Sequence, residues 1–168
     1  AAEQAHRERT REVGAGIVAY DALPDLSRVC FMLDGRVFLA DVAGSGRVAE
    51  LSSTGSAFDP RIAPGGTSVA YVSGGGIRTT GPAGDHPLIG GATDTVSWGS
   101  AEFVAAEEMG RTRGHWWSPD GGHVLAARVD VTAVAEWWIS SPVDQAAPPR
   151  AIRYPAAGSA NAEGGPAL

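Results

Sequence analysis

Pro24-Asp-Leu-Ser-Arg-Val-Cys-Phe-Met-Leu-Asp-Gly-Arg-Val37 aligns without a gap on Pro64-Gly-Gly-Thr-Ser-Val-Ala-Tyr-Val-Ser-Gly-Gly-Gly-Ile77, an offset of 40 residues (24 to 64). Val29 meets Val69, Phe31 meets Tyr71 and Val37 meets Ile77. Each copy opens on a proline that presets φ at a turn, followed by residues that tolerate a tight bend. An alternating strand follows, then a second turn at Asp34-Gly35 or Gly74-Gly75, then a return strand. A third copy begins at Ser118-Pro-Asp-Gly-Gly-His-Val-Leu-Ala-Ala-Arg128, with Val124 in the place of Val29 and Val69. One hairpin cannot bury its apolar face, so such units pack radially against each other, and 40 residues is the length of one four-stranded propeller blade. The expected fold is all-β: a partial β-propeller of about three four-stranded blades over residues 16–162.

Composition agrees with strands and turns. Gly 23, Pro 11 and 19% charged residues in 168 do not describe a helical bundle. A net charge of −6 argues against nucleic acid or an anionic membrane surface as a partner. Cys30 is the single cysteine, which excludes a disulfide framework or a cysteine-based metal site and suits a small core residue. No apolar run reaches the length of a membrane span. No signal-peptide pattern opens the chain, which favours the cytoplasm, although a start at Ala1 leaves export undecided.

The third copy lies 55 residues beyond the second (64 to 119), so an insertion precedes it. Within it, Ser100-Ala-Glu-Phe-Val-Ala-Ala-Glu-Glu-Met109 reads as a short helix, with Ser100 as N-cap and Gly110 as its stop. This helix carries Glu107 and Glu108 side by side near its C-terminal end. There they oppose the helix dipole and repel each other. Such a pair is either a solvated helix end or a site awaiting a cation. Insertions of this kind project from a scaffold, where function tends to sit.

Residues 1–15 are expected to form a peripheral segment. After Val131 a strand is expected over Ala135–Ile139, then a proline-rich linker (Pro142, Pro148, Pro149) and Ala151–Gly158. Residues 163–168 carry no strand pattern and read as a divergent tail.

Taken together, Ala101-Glu-Phe-Val-Ala-Ala-Glu-Glu-Met109, Trp116-Trp-Ser-Pro-Asp120, Arg128-Val-Asp130 and Arg153-Tyr-Pro-Ala-Ala-Gly158-Ser-Ala-Asn161 resemble the N-terminal propeller of dipeptidyl-peptidase IV-like serine peptidases, of the prolyl oligopeptidase group. The resemblance runs from about residue 16 to 162, with the motifs in the family's order. It implies that Glu107 and Glu108 hold the free α-ammonium of a peptide substrate, from which the complete protein releases Xaa-Pro or Xaa-Ala dipeptides. It implies no cofactor and no metal, and leaves self-association of the complete protein open. It further implies that nucleophile, acid and base belong to a C-terminal α/β-hydrolase domain. This chain has no Gly-x-Ser-x-Gly elbow, so no catalytic residue is assigned and the chain alone is expected to be inactive. With about three blades the ring is expected to be open.

Other candidates are weaker. Arg111 and Arg113 follow the carboxylates and could pair with Glu107 or Glu108 when substrate is absent; ordinary surface arginines would look the same. His6, His86, His115 and His123 have no metal-ligand spacing. His115 is expected to be a packed or surface residue, and Trp116 and Trp117 to point to opposite faces of one strand. Two further readings stand beside the peptidase one: a non-enzymatic binding propeller, and a gene remnant that does not fold.

Overall fold

The structure is a computed structural model that describes residues 16, 17, 19–144 and 146–167. The segment 1–15 lies outside the described residues. The first sheet comprises β1 (Tyr20–Ala22), β2 (Arg28–Leu33), β3 (Arg36–Asp41) and β4 (Val48–Leu51), antiparallel in that order. The second repeats it with β5 (Phe58–Ile62), β6 (Val69–Ser73), β7 (Gly76–Thr80) and β8 (His86–Ile89). The 40-residue repeat is preserved in register: Val29 pairs with Ala40 and Val69 with Thr80, Met32 with Val37 and Val72 with Ile77. Both hairpins close on two residues of positive φ, Asp34-Gly35 (51° and 70°) and Gly74-Gly75 (59° and 75°). That is the backbone sense whose twist matches the flanking strands. The proline-led turns coincide too. The Leu26 amide donates to Leu23, Gly66 to Ala63 and Gly121 to Ser118, so all three copies carry the same bend.

The sheets stack face to face, as alternation requires. From β6, Val69 and Tyr71 point to the first sheet and join Cys30, Met32, Val37, Ala57 and Ile62 in one core. Ala70 points the other way, and with Ile77 meets Ala126, Trp117 and Val124 of the third sheet. The middle blade is therefore covered on both faces. Fully burying a side chain the size of Val69 or Ile77 contributes about 1.5–3 kcal/mol, so these two seams hold the stack together. Tyr71 is buried with its hydroxyl satisfied: it donates to Asp85 at 2.7 Å and accepts from the Thr54 amide at 2.9 Å. Asp85 also takes Arg78 Nη2 at 2.8 Å.

Cys30 is fully buried in the first seam. Burial, aided by the nearby Asp21 charge, pushes its thiol up to about 12. A thiol-reactive disulfide reagent at pH 8 is therefore expected to leave the folded chain unmodified and to titrate the single cysteine only in denaturant. Rapid reaction without denaturant would mean that the seam between the first two sheets is open.

The third sheet differs from the sequence reading. β9 (Val96–Trp98) pairs with Arg128–Asp130 of β11 (Val124–Asp130), and β10 (His115–Trp117) pairs with Val124–Ala126 of the same strand. Because β14 (Glu163–Ala167) occupies the other side of β11 over Ala126–Asp130, β9 and β10 lie end to end on one side. They amount to a single inner strand from which the insertion buds. The tail expected to lack a strand is thus corrected: residues 163–167 form β14. Its Gly-Gly-Pro sequence has poor strand propensity, and backbone pairing with a seven-residue neighbour overrides it. A two-stranded hairpin, β12 (Glu136–Ile139) with β13 (Arg150–Arg153), projects between β11 and β14. The chain is an all-β partial propeller: among the described residues, two complete four-stranded sheets, a third sheet around β11, and this hairpin.

Candidate functional site

The insertion leaves the inner strand at Gly99 and returns at Gly114. Both face Ala127: the Gly99 amide donates to its carbonyl at 2.9 Å, and its amide donates to the Gly114 carbonyl at 2.8 Å. The two glycines touch back to back, and one further antiparallel bridge, Ser100 to Arg113, closes the neck above them. Beyond the neck the chain forms helix α1 (Phe103–Glu107).

The expected N-cap is corrected. Ser100 is engaged in the bridge, and Glu102 caps the helix instead, its carboxylate accepting from Val104 N at 2.8 Å and Ala105 N at 2.6 Å. A carboxylate suits that end, where free amides and the helix dipole both favour negative charge. At the far end Glu107 is the last helical residue and Glu108 the C-cap, with Gly110 at φ 61° and the Arg111 amide donating to the Ala105 carbonyl to complete the stop.

Two contacts brace the helix. Ala105, on its inward side, is fully buried. On its side, Phe103 meets Tyr154 edge-to-face at 5.2 Å, and Tyr154 in turn meets Trp137 of the hairpin at 6.5 Å. The hairpin is itself pinned, Arg153 Nη1 donating to the Val134 carbonyl at 2.7 Å. The Arg-Tyr-Pro motif of residues 153–155 thereby supports the insertion from outside, a role its sequence gave no sign of.

Glu107 is half-buried and Glu108 exposed. Neither carboxylate has an ion-pair or side-chain hydrogen-bond partner among the described residues. As to the two readings of Arg111 and Arg113, the structure shows no ion pair between either arginine and Glu107 or Glu108. Arg113 lies over the Trp116 ring at 5.6 Å and donates from Nε to the His115 carbonyl at 2.9 Å. Burial, and the nearby charge of Arg61, hold its pKa below the usual arginine value. Arg111 is exposed. Both arginines line a cavity of about 370 Å³ with Glu102, Trp116 and Leu125, which Glu107 and Glu108 do not enter. The two tryptophans diverge as expected: Trp117 packs toward the second sheet while Trp116 lies under Arg113 on the other face.

His115 is fully buried at the start of β10. Around it lies a cluster the sequence did not reveal, since its members come from three inner strands: Asp21 of β1, Asp59 and Arg61 of β5, and His115. Among the described residues no group of three or more His, Cys, Asp or Glu is placed to hold a metal ion. No helix among them is long and apolar enough to cross a membrane.

A family model described as the dipeptidyl peptidase IV (DPP IV) N-terminal region matches residues 25–163. The chain belongs to that family. The match begins at the second residue of the first repeat and ends at Glu163, the first residue of β14, so the insertion with Glu107 and Glu108 and the bracing hairpin both lie inside the DPP IV region.

Proposed function

We propose that this chain is the substrate-recognising propeller portion of a DPP IV-like serine exopeptidase, and that Glu107 and Glu108 grip the free α-ammonium of a peptide. The observation that carries the reading is a pair of adjacent carboxylates without a protein cation, held on a braced insertion inside the DPP IV N-terminal match. An ammonium supplies three donors and relieves the repulsion between the two acids. In this reading the chain selects and measures the substrate, while bond cleavage to release Xaa-Pro or Xaa-Ala dipeptides belongs to a hydrolase domain of the complete peptidase.

Calorimetric titration of the chain with a short Xaa-Pro peptide tests it. The free-amine form is expected to bind at least about tenfold more tightly than the N-acetylated form, because acetylation removes both the charge and the donors. Binding is also expected to weaken with added salt, since Glu108 is exposed and its attraction is screened. Equal affinity for the two peptides would remove the reading.

A further inference from the structure

We infer that His115 is a positioning residue for the Glu107–Glu108 insertion: from a buried seat at the neck it ties the departing strand to the returning one and presses both against Asp59 of the second sheet. The Gly99 carbonyl can only accept, so Nδ1 of His115, 3.2 Å away, carries the proton of this bond. Gly99 is where the chain leaves β9, and His115 follows Gly114, where it returns. One imidazole bond therefore spans the opening of the insertion. The same Nδ1 lies 3.5 Å from Asp59 Oδ2, a contact without a hydrogen bond: that buried oxygen has no hydrogen-bond partner among the described residues.

Asp59 is itself fixed from several directions. It holds φ 50° in a strand, a conformation aspartate tolerates better than most residues, and Arg61 binds its Oδ1. Arg61 reaches Asp21 of the first sheet at 3.9 Å and accepts Trp117 Nε1 on its carbonyl at 3.0 Å. His115 thus touches the second sheet through Asp59, and Arg61 carries the cluster on to the first sheet, so the insertion is aimed by a junction that reaches all three sheets. Space-filling does not account for a histidine here. Its Nε2 is buried with no hydrogen-bond partner among the described residues, a cost that phenylalanine or leucine would avoid.

Burial holds the His115 pKa below its ordinary value, and the Asp59 charge only partly opposes this; Arg61 and Arg113 act in the same direction as burial. The ring is therefore neutral in the folded chain at pH 7. The sign of the pH dependence follows. The unfolded or opened chain takes up a proton near the ordinary value of about 6.5, the closed one only at lower pH. The stability that His115 gives the neck is present above about pH 6.5 and is lost as pH falls toward the depressed value.

The consequence for peptide binding rests on the proposed role of Glu107 and Glu108; the tie across the neck does not. Amide hydrogen exchange on the full chain, corrected for intrinsic rates, separates the two. His115→Leu and His115→Gln are expected to speed exchange of the Ala105, Ala106, Glu108 and Arg111 amides by about tenfold, with the β2 and β3 amides unchanged. His115→Asn, whose side-chain amide stands in for Nδ1, is expected to keep the protection and to abolish its decline between pH 7 and pH 5. A uniform rise over all sheets, no rise, or an Asn variant as unprotected as the Leu variant would overturn the inference. If the exchange pattern holds but a free-amine Xaa-Pro peptide binds neither wild type nor variant, the N-terminus reading fails and the neck tie stands.

Discussion

Gly114→Ala is expected to destabilise the chain by about 4 kcal/mol, lowering its thermal midpoint by about 10 °C. A Cβ on Gly114 would stand 2.4 Å from the Gly99 carbonyl carbon, 2.5 Å from its oxygen and 2.5 Å from the Ser100 amide nitrogen. All three are backbone atoms, so no rotamer change relieves the clash. The only escape is to part the two strands of the neck, which breaks the bonds that Gly99 and Gly114 make to Ala127 and removes the His115 bond to Gly99. Gly110→Ala is the control. Unlike Gly114 it has positive φ, 61°, and a Cβ there meets nothing within 4 Å, so only the left-handed penalty of roughly 1–2 kcal/mol applies. Equal melting of the two variants would show that the neck is not closed as described.

That neck also marks where sequence reading reaches its limit. The first two hairpins were legible down to register because proline turns, two-residue bends and alternating apolar positions all act within about a dozen residues. The middle strand was read only as alternating, yet Val69-Ala-Tyr-Val72 is buried on both faces because a sheet packs on each side of it. The split inner strand was not legible: β9 and β10 are each three residues long, and nothing local says that two fragments separated by sixteen residues (99–114) face one strand. β14 was hidden for a different reason, since Glu163-Gly-Gly-Pro-Ala167 is held by its partner's backbone instead of by side chains.

The site shows the same division. The helix and the place of Glu107 and Glu108 at its end followed from local propensity. Its cap did not, because Ser100 and Glu102 are both competent and a tertiary bridge decides between them. The partners of His115 and Tyr154 come from other strands or excursions, and no spacing rule joins residues 59, 61 and 115. Sequence left Arg111 and Arg113 open between counter-ions of the glutamates and surface residues; Arg113 is taken up by Trp116 and a backbone carbonyl, and Arg111 is exposed on the insertion.

Glu107→Gln and Glu108→Gln are each expected to weaken binding of a free-amine Xaa-Pro peptide by about 10- to 100-fold, and the double variant to abolish the preference over the N-acetylated peptide. A hydrogen bond to a charged group contributes about 1.5–3 kcal/mol, which sets that range, since 1.4 kcal/mol is tenfold. Glutamine keeps the size of the side chain and an accepting oxygen, so what it removes is charge. The two sites need not weigh equally. Glu107 is half-buried at the helix end and Glu108 exposed, so solvent and salt screen Glu108 more, and the larger loss is expected at Glu107. The thermal midpoint serves as the internal check. Neither carboxylate has a protein partner among the described residues, and both oppose the helix dipole, so neutralising them should leave stability unchanged or slightly raised. Loss of affinity at constant stability is the mark of a residue placed for a ligand. If both single variants bind the free-amine peptide as wild type does, the acids are a solvated helix end, and recognition of the N-terminus must be sought elsewhere on the propeller.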